Sequence, residues 1–357
     1  MKKAGRIIII IFIVFAGVFA YLKTHPKKLN KLPDTSKKTE ETTSKREKTT
    51  DWTQDRILSD GDVIEYKQYI FYQRDDYKII RFDKKTKNKK VIAQLKKAEE
   101  AYLCMQIYDG KLYYSYNNQL YCTTLDGKNR KHVLDWAKTS SNLTDPGINW
   151  MDSFYIYQGR KYFWIGTTLA TINEDTNKAE ILVVDSREEA FYNRHFYYID
   201  RENTAIYELN LKTKKQKIIR GLDYGKIDDA SMKTVMKYRD VFTWNGKLFY
   251  SCDSQNKNAA IYEFNKNGKD KMVFQEKNKE YILKNFTLSS KYAVWFDYDK
   301  SGAPIIYIYN IQEKKTKTKK LAIDDSIDIE KIINGTLLYT IDNEKEPQIY
   351  YTLKLDE

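Results

Sequence analysis

The hexapeptide Asp297-Tyr298-Asp299-Lys300-Ser301-Gly302 sets oxygen-bearing side chains at its first, third and fifth positions ahead of a turn glycine. A calcium loop opens this way, because a hard cation gathers several oxygen ligands from one tight bend. The loop's twelfth position should be a bidentate Glu, and here it is Ile308, inside a strand-like run. A polar turn is therefore the simpler reading, with Asp297, Asp299 and Ser301 as candidate calcium ligands and no other cofactor expected.

Nucleophile and base chemistry finds little material. Of three histidines, His25 lies in a polar stretch and His132 on an outer strand, which leaves His195 as the one candidate for a central base. Ser254 and Lys257 match an SxxK spacing only within a polar turn, and the chain has no GxSxG, HExxH or Walker loop. Cys104, Cys122 and Cys252 show no CxxC or Cys/His spacing suited to zinc. They read as small buried hydrophobes. Paired carboxylates for glycoside chemistry would come from different repeats, so their spacing along the chain is uninformative.

The elements that would position such groups are strands. The chain carries 30 Tyr and 15 Phe with only 5 Pro, and aromatic and β-branched residues suit a pleated, half-buried surface. A short aromatic strand recurs as YIFY (from Tyr69), KLYYSY (Lys111), KYFW (Lys161), HFYYID (His195), KLFYSC (Lys247), YAVWFD (Tyr292) and TLLYTID (Thr336). In most units a polar turn, a second strand, a Lys-rich turn and a third strand follow, and a preceding strand completes four. Four antiparallel strands repeated at this period predict an all-β fold, a single β-propeller of seven four-stranded blades over 56–357. Six blades is the alternative, because the 150–185 unit is the least regular. The last unit stops after its third strand, Gln348 to Leu355, and a spare strand-like piece sits at Arg56 to Ser59. An open ring would leave unpaired edges, so the first strand is expected to pair with the final unit.

The stretch LYYSYNNQLYCTTLDGKNRKHVL (Leu112 to Leu134) resembles the YWTD-type propeller repeat of low-density-lipoprotein-receptor proteins and, more closely, the bacterial domain family DUF5050. The resemblance extends over the repeat region as a pattern, best in the second, fifth and sixth units, although the YWTD tetrapeptide is absent. TolB-like propellers are looser relatives. The resemblance implies an exported bacterial binding module without shared catalytic residues.

Export is also legible at the N-terminus. Residues 1–6 read as a basic cytoplasmic region, followed by the unbroken apolar run Ile7 to Leu22. At 16 residues the run is just short of the ~20 needed by a straight transmembrane helix, with Tyr21 and Lys23 placed to anchor its end. It predicts a single-pass signal anchor in a bacterial cell membrane with the large domain outside. The alternative is a secreted protein cleaved near Ala20. Residues 23–55, rich in Lys, Thr, Ser and Glu, read as a flexible tether.

The net charge of +13 is uneven. The first 50 residues hold 12 basic and 4 acidic side chains, the remainder 50 and 45. With so mild an excess in the folded part and no recognisable nucleic-acid module, nucleic acid is not an expected partner. Within the first six repeats, the windows 83–90, 125–131, 173–180, 211–217, 265–271 and 313–320, between third and fourth strands, hold 21 basic residues against 7 acidic ones. The turns at the opposite end carry Asp75, Asp76, Asp200, Glu202 and others. A Lys-rich face is expected to dock on anionic lipid or wall polymer, although lysine in β-turns also blocks edge pairing. The expected function is a membrane-tethered, non-catalytic binding or scaffolding module for a protein or envelope glycan. An exported glycan- or peptide-acting enzyme with central carboxylates is the alternative.

Overall fold

The computed structural model describes residues 51–59, 62–96, 103–143, 150–221, 237–254, 257–275, 286–298, 302–321, 323, 326–341 and 348–356. The expected anchor and most of the tether lie outside these residues. Among the described residues no helix is long and apolar enough to cross a membrane.

The structure is built from antiparallel meanders. Five separate four-stranded sheets span 104–135, 153–183, 186–221, 237–275 and 287–320. The irregular third unit forms a complete sheet of its own. The remaining strands join in one eight-stranded sheet, in which the 64–94 meander and the 327–354 strands are linked by the short strand Ile57–Leu58. As the closure argument requires, Ile57 pairs with Tyr350 and Leu58 with Ile349, while Ile57 also opposes Arg74 of the first unit. Ser59 N–H extends this pairing to the Gln348 carbonyl at 3.1 Å.

Local chemistry explains the hairpins. Asp109-Gly110, Gln158-Gly159, Asn193-Arg194, Asn245-Gly246 and Asn334-Gly335 all have positive φ at both positions. These are the two-residue turns whose twist matches that of the flanking strands. The join between the third and fourth strands also repeats, with a register shift at Ile79/Ile80, Leu120/Tyr121, Leu169/Ala170, Ile206/Tyr207 and Ile261/Tyr262. A bulge adds local twist, so these five units gain twist at the same join.

Packing runs between sheets rather than within one core. Phe71 and Ile79 of the first unit share a cluster with Leu112 and Tyr114 of the second, and Trp136 of the second stacks on Phe163 of the third at 4.6 Å. The pattern passes from sheet to sheet until Ile329, Leu337 and Leu353 meet Val294 and Ile306. It then returns to the start, because Leu338 and Tyr350 of the last unit pack with Ile70, Tyr72 and Phe82 of the first around Trp52 and Ile57. The sheets therefore follow one another in cyclic order.

The seam between the ends is reinforced. Lys89 is 3% exposed and pairs with Asp55 at 2.7 Å, and Asp55 also accepts from the Tyr72 hydroxyl. A buried cation is tolerated only with such a partner. Trp52 fills the seam at 2% exposure. Replacing it, Trp52→Ala, should cost about 3–5 kcal/mol, read as a lower urea midpoint. Trp150→Ala, at a 36% exposed tryptophan outside the seam, should stay within ~0.5 kcal/mol.

Candidate functional site

The first strands of successive units are neighbours, and their charges meet there. They are Ile64–Tyr66, Cys104–Tyr108, Ser153–Tyr157, Ser186–Tyr192, Lys237–Trp244, Thr287–Leu288 and Ile327–Ile333. Asp62, just before the first of them, ties three units together. Its backbone N–H donates to the Leu103 carbonyl at 2.9 Å. Its carboxylate accepts from Met105 N–H at 2.8 Å and from Lys331 Nζ at 3.2 Å. Gln106 continues the link, donating to the Ile156 carbonyl at 3.0 Å and accepting from Ile156 N–H at 2.5 Å. Tyr155 stacks on Phe191 of the next unit at 5.0 Å.

Three of these strands are bulged, at Arg187/Glu189, Tyr238/Asp240 and Ile329/Lys331. The residues left out of the ladder are Glu188, Arg239 and Glu330. A bulge re-aims a side chain, and here it places two adjacent charges where strict alternation would direct one into an apolar interface. Glu188 has φ of 35°, a left-handed conformation that only a constrained position holds.

The electrostatics mark a confined acidic zone. Burial and the charge of Glu188 raise the Glu189 carboxyl to about 7. Burial and the charges of Glu188 and Glu189 bring Asp240 to about 7 as well. Glu188 and Glu330 are exposed at the surface, yet crowding by the surrounding protein raises both carboxyls, opposed by Arg187 and by Lys331 respectively. Tyr155 is 48% exposed, yet protein crowds its hydroxyl, which burial first and then Glu189, Cys104 and Asp62 push up to about 12. Burial and Asp62 drive the Cys104 thiol well above its ordinary value. Beside the acidic zone, the hydroxyls of Ser251, opposite Asp240, and Ser115, opposite Cys104, are buried without a hydrogen-bond partner.

The residues singled out in the sequence lie elsewhere. Asp297 is the penultimate residue of the second strand Tyr292–Tyr298, and its carboxylate accepts from Tyr298 N–H at 2.7 Å. Asp299 and Ser301 lie outside the described residues, and no group of three His, Cys, Asp or Glu suited to a metal occurs among the described ones. His195 starts a second strand, where Nδ1 meets the Asn193 carbonyl at 2.7 Å and Nε2 lies 3.7 Å from Glu208. Glu208 is already engaged by Tyr197 and Lys217, so His195 serves that network rather than the acidic zone. His132 sits exposed on a fourth strand beside Gln119, and His25 lies outside the described residues. The cysteines are free thiols. The Lys-rich windows do connect third to fourth strands, although Lys84, Lys90, Lys128 and Lys214 are partly neutralised by Glu65, Asp126 and Glu180.

A raised carboxyl favours the folded state only while protonated. Its contribution is full below the unfolded carboxylate value and is lost as pH rises towards about 7. Asp240→Asn should therefore raise Tm relative to the parent at about pH 8, with the gain shrinking near about pH 5, as measured by calorimetry across pH.

The chain matches no protein-family model and no curated protein. Solved structures resemble it in fold alone. A prolyl endopeptidase structure aligns with 85% of this chain and 49% of its own at a TM-score of 0.53 and 12% identity, so the chain spans about half of that protein. An oligogalacturonate lyase from Vibrio parahaemolyticus aligns with 87% of this chain and 94% of its own at a TM-score of 0.51 and 12% identity. With these neighbours, the all-β chain of repeated four-stranded antiparallel sheets is propeller-like in fold.

Proposed function

We propose that the chain is a seven-bladed, membrane-tethered extracytoplasmic β-propeller that acts as a non-catalytic binding module, a bacterial relative of the DUF5050 and YWTD-type repeats. Counting the eight-stranded sheet as two blades joined at Ile57–Leu58 supports seven. The observation that carries the binding reading is the filling of the central zone. The first strands offer solvent with Tyr155, Glu188 and Glu330, where closure alone would be served by apolar residues. Charged and aromatic groups held at the convergence of a rigid scaffold form the usual apparatus of recognition.

The Lys-rich end supports an orientation. Turns between third and fourth strands leave the sheets at the same end as the first hairpins, adding Lys67, Arg194 and Lys291 to the basic windows. The strand Lys315–Lys320 is exposed throughout. In this reading the tether and the basic end hold the module on anionic lipid, and the acidic turns face outward. A second reading, a glycan- or peptide-acting enzyme, draws on Glu189 and Asp240, whose carboxyls at about 7 suit proton transfer near neutral pH.

Two measurements separate these ideas. Full-length chain should retain an envelope component that Tyr155→Ala with Glu330→Gln releases, and equal retention by both overturns the binding reading. Turnover of the retained component, abolished by Asp240→Asn, would favour the enzyme. The chain without residues 1–50 should bind anionic but not zwitterionic vesicles, with affinity falling steeply as salt rises. No binding at low salt removes the docking surface.

A further inference from the structure

The register shift between third and fourth strands leaves one residue out of the ladder, and in the first four units this is Ile92, Val133, Leu182 and Ile219. At three junctions the following unit closes over that residue. Gly127 (φ 82°) sits so near Ile92 that an added Cβ would lie 2.8 Å from the Ile92 carbonyl oxygen. Gln216 Nε2 donates to the Leu182 carbonyl at 3.3 Å. Beside Ile219, Arg220 donates to the Asn265 carbonyl and pairs with Asp270, each at 2.6 Å.

The junction of the second and third units differs. Leu134 takes the place that Arg220 holds in the fourth unit, since it opposes Leu120 as Arg220 opposes Ile206. Among the described residues no hydrogen bond joins the strand Lys131–Asp135 to the 174–177 turn of the third unit. A cavity of ≈ 220 Å³ takes up the gap. A cavity of about 150 Å³ holds one benzene, so this one has room for a ligand on the order of ten non-hydrogen atoms.

The lining is divided by chemistry. Val133, Leu134 and Ile172 form an aliphatic wall, with no aromatic face on which a sugar would stack. Arg160, Lys161 and Glu174 bring charge of both signs. Arg160 Nε lies 3.8 Å from Glu174, beyond hydrogen-bond distance, and the two side chains are 57% and 74% exposed. Such a pair is weak and yields readily to a ligand. The Lys161 ammonium is half-buried and has no hydrogen bond or ion pair among the described residues. The turn itself is held in place, because the Asn173 side chain accepts from Asp175 N–H at 3.0 Å and Thr176 N–H at 3.1 Å. Asn177 N–H donates to the Asn173 carbonyl at 2.8 Å. A wall set before binding loses little freedom when a ligand arrives.

We propose that this cavity binds an aliphatic α-amino acid, free or as the last residue of a peptide. Its carboxylate meets Lys161 and Arg160, and its side chain lies on Val133, Leu134 and Ile172. In the free amino acid the ammonium meets Glu174. Charge-assisted hydrogen bonds fix the ligand's direction, while the apolar wall selects its side chain. The cavity shares no residue with the acidic zone, so this inference goes beyond the binding reading above and does not depend on it.

The test is calorimetric titration of full-length, detergent-solubilised chain with leucine, with acetyl-Gly-Leu and with leucinamide. Leucine or acetyl-Gly-Leu should bind, and leucinamide, which lacks the carboxylate, should not. Lys161→Gln should weaken binding roughly tenfold or more. Leu134→Arg, which puts an arginine where the fourth unit has Arg220, should abolish it, with unchanged Tm showing that each variant is folded. Binding of leucine alone assigns the site to free amino acids, and Glu174→Gln should then weaken it to a similar degree. Binding of acetyl-Gly-Leu, alone or beside leucine, assigns it to a peptide C-terminus; either supports the site. The site is overturned if neither leucine nor acetyl-Gly-Leu binds, if leucinamide binds as tightly as they do, or if Lys161→Gln leaves affinity unchanged.

Discussion

Every sheet here has two edges, and the two that matter belong to the ends of the chain. Ile57 and Leu58 contribute only two residues of strand, yet they pair with Tyr350 and Ile349 and so bridge residues nearly three hundred positions apart. Bringing such distant segments together costs loop-closure entropy that grows only slowly with length. What offsets it is concentrated at the seam: Trp52, Ile57, Tyr72 and Leu338 in one apolar cluster, and Lys89 neutralised by Asp55 beneath it. Without that junction the first and last sheets would each expose a row of unpaired backbone groups.

Closure also creates the acidic zone. Sheets that pack face to face in cyclic order bring their first strands together, whatever side chains those strands bear. Asp62 shows how closely the two roles are joined, since one carboxylate bonds Met105 of the second unit and Lys331 of the last. Arg220 plays the corresponding part further out, reaching Asp270 of the next unit at 2.6 Å while lying over Phe264. Polar links between units thus occur at both radii, with stacked aromatics between them such as Tyr250 on Tyr262 and Trp295 on Tyr307.

Much of the scaffold was readable from the chain. The recurring aromatic strand identified every second strand, because Tyr and Phe at that level are the residues that fill the space between sheets. The missing last strand and the spare piece at Arg56 to Ser59 predicted the pairing that occurs. The acidic zone was not read, because its members lie far apart along the chain. A local signal did exist: in SREEAFY, KYRDVFTW and IDIEKII two charges stand side by side within a strand-forming run. Alternation allows one such charge on an interface-facing strand, and two imply a bulge. The histidines and the Asp297 loop drew attention as residue types with known chemistry, but neither type nor spacing says which strand of a repeat faces the centre.

Native-state hydrogen exchange at Ile57, Leu58 and Ser59 tests the closure most directly. If the N-terminal strand completes the last sheet, these amides exchange as slowly as those of Thr336–Ile341, in one cooperative opening. Fast exchange at Ile57, Leu58 and Ser59 while Thr336–Ile341 remains protected would contradict it.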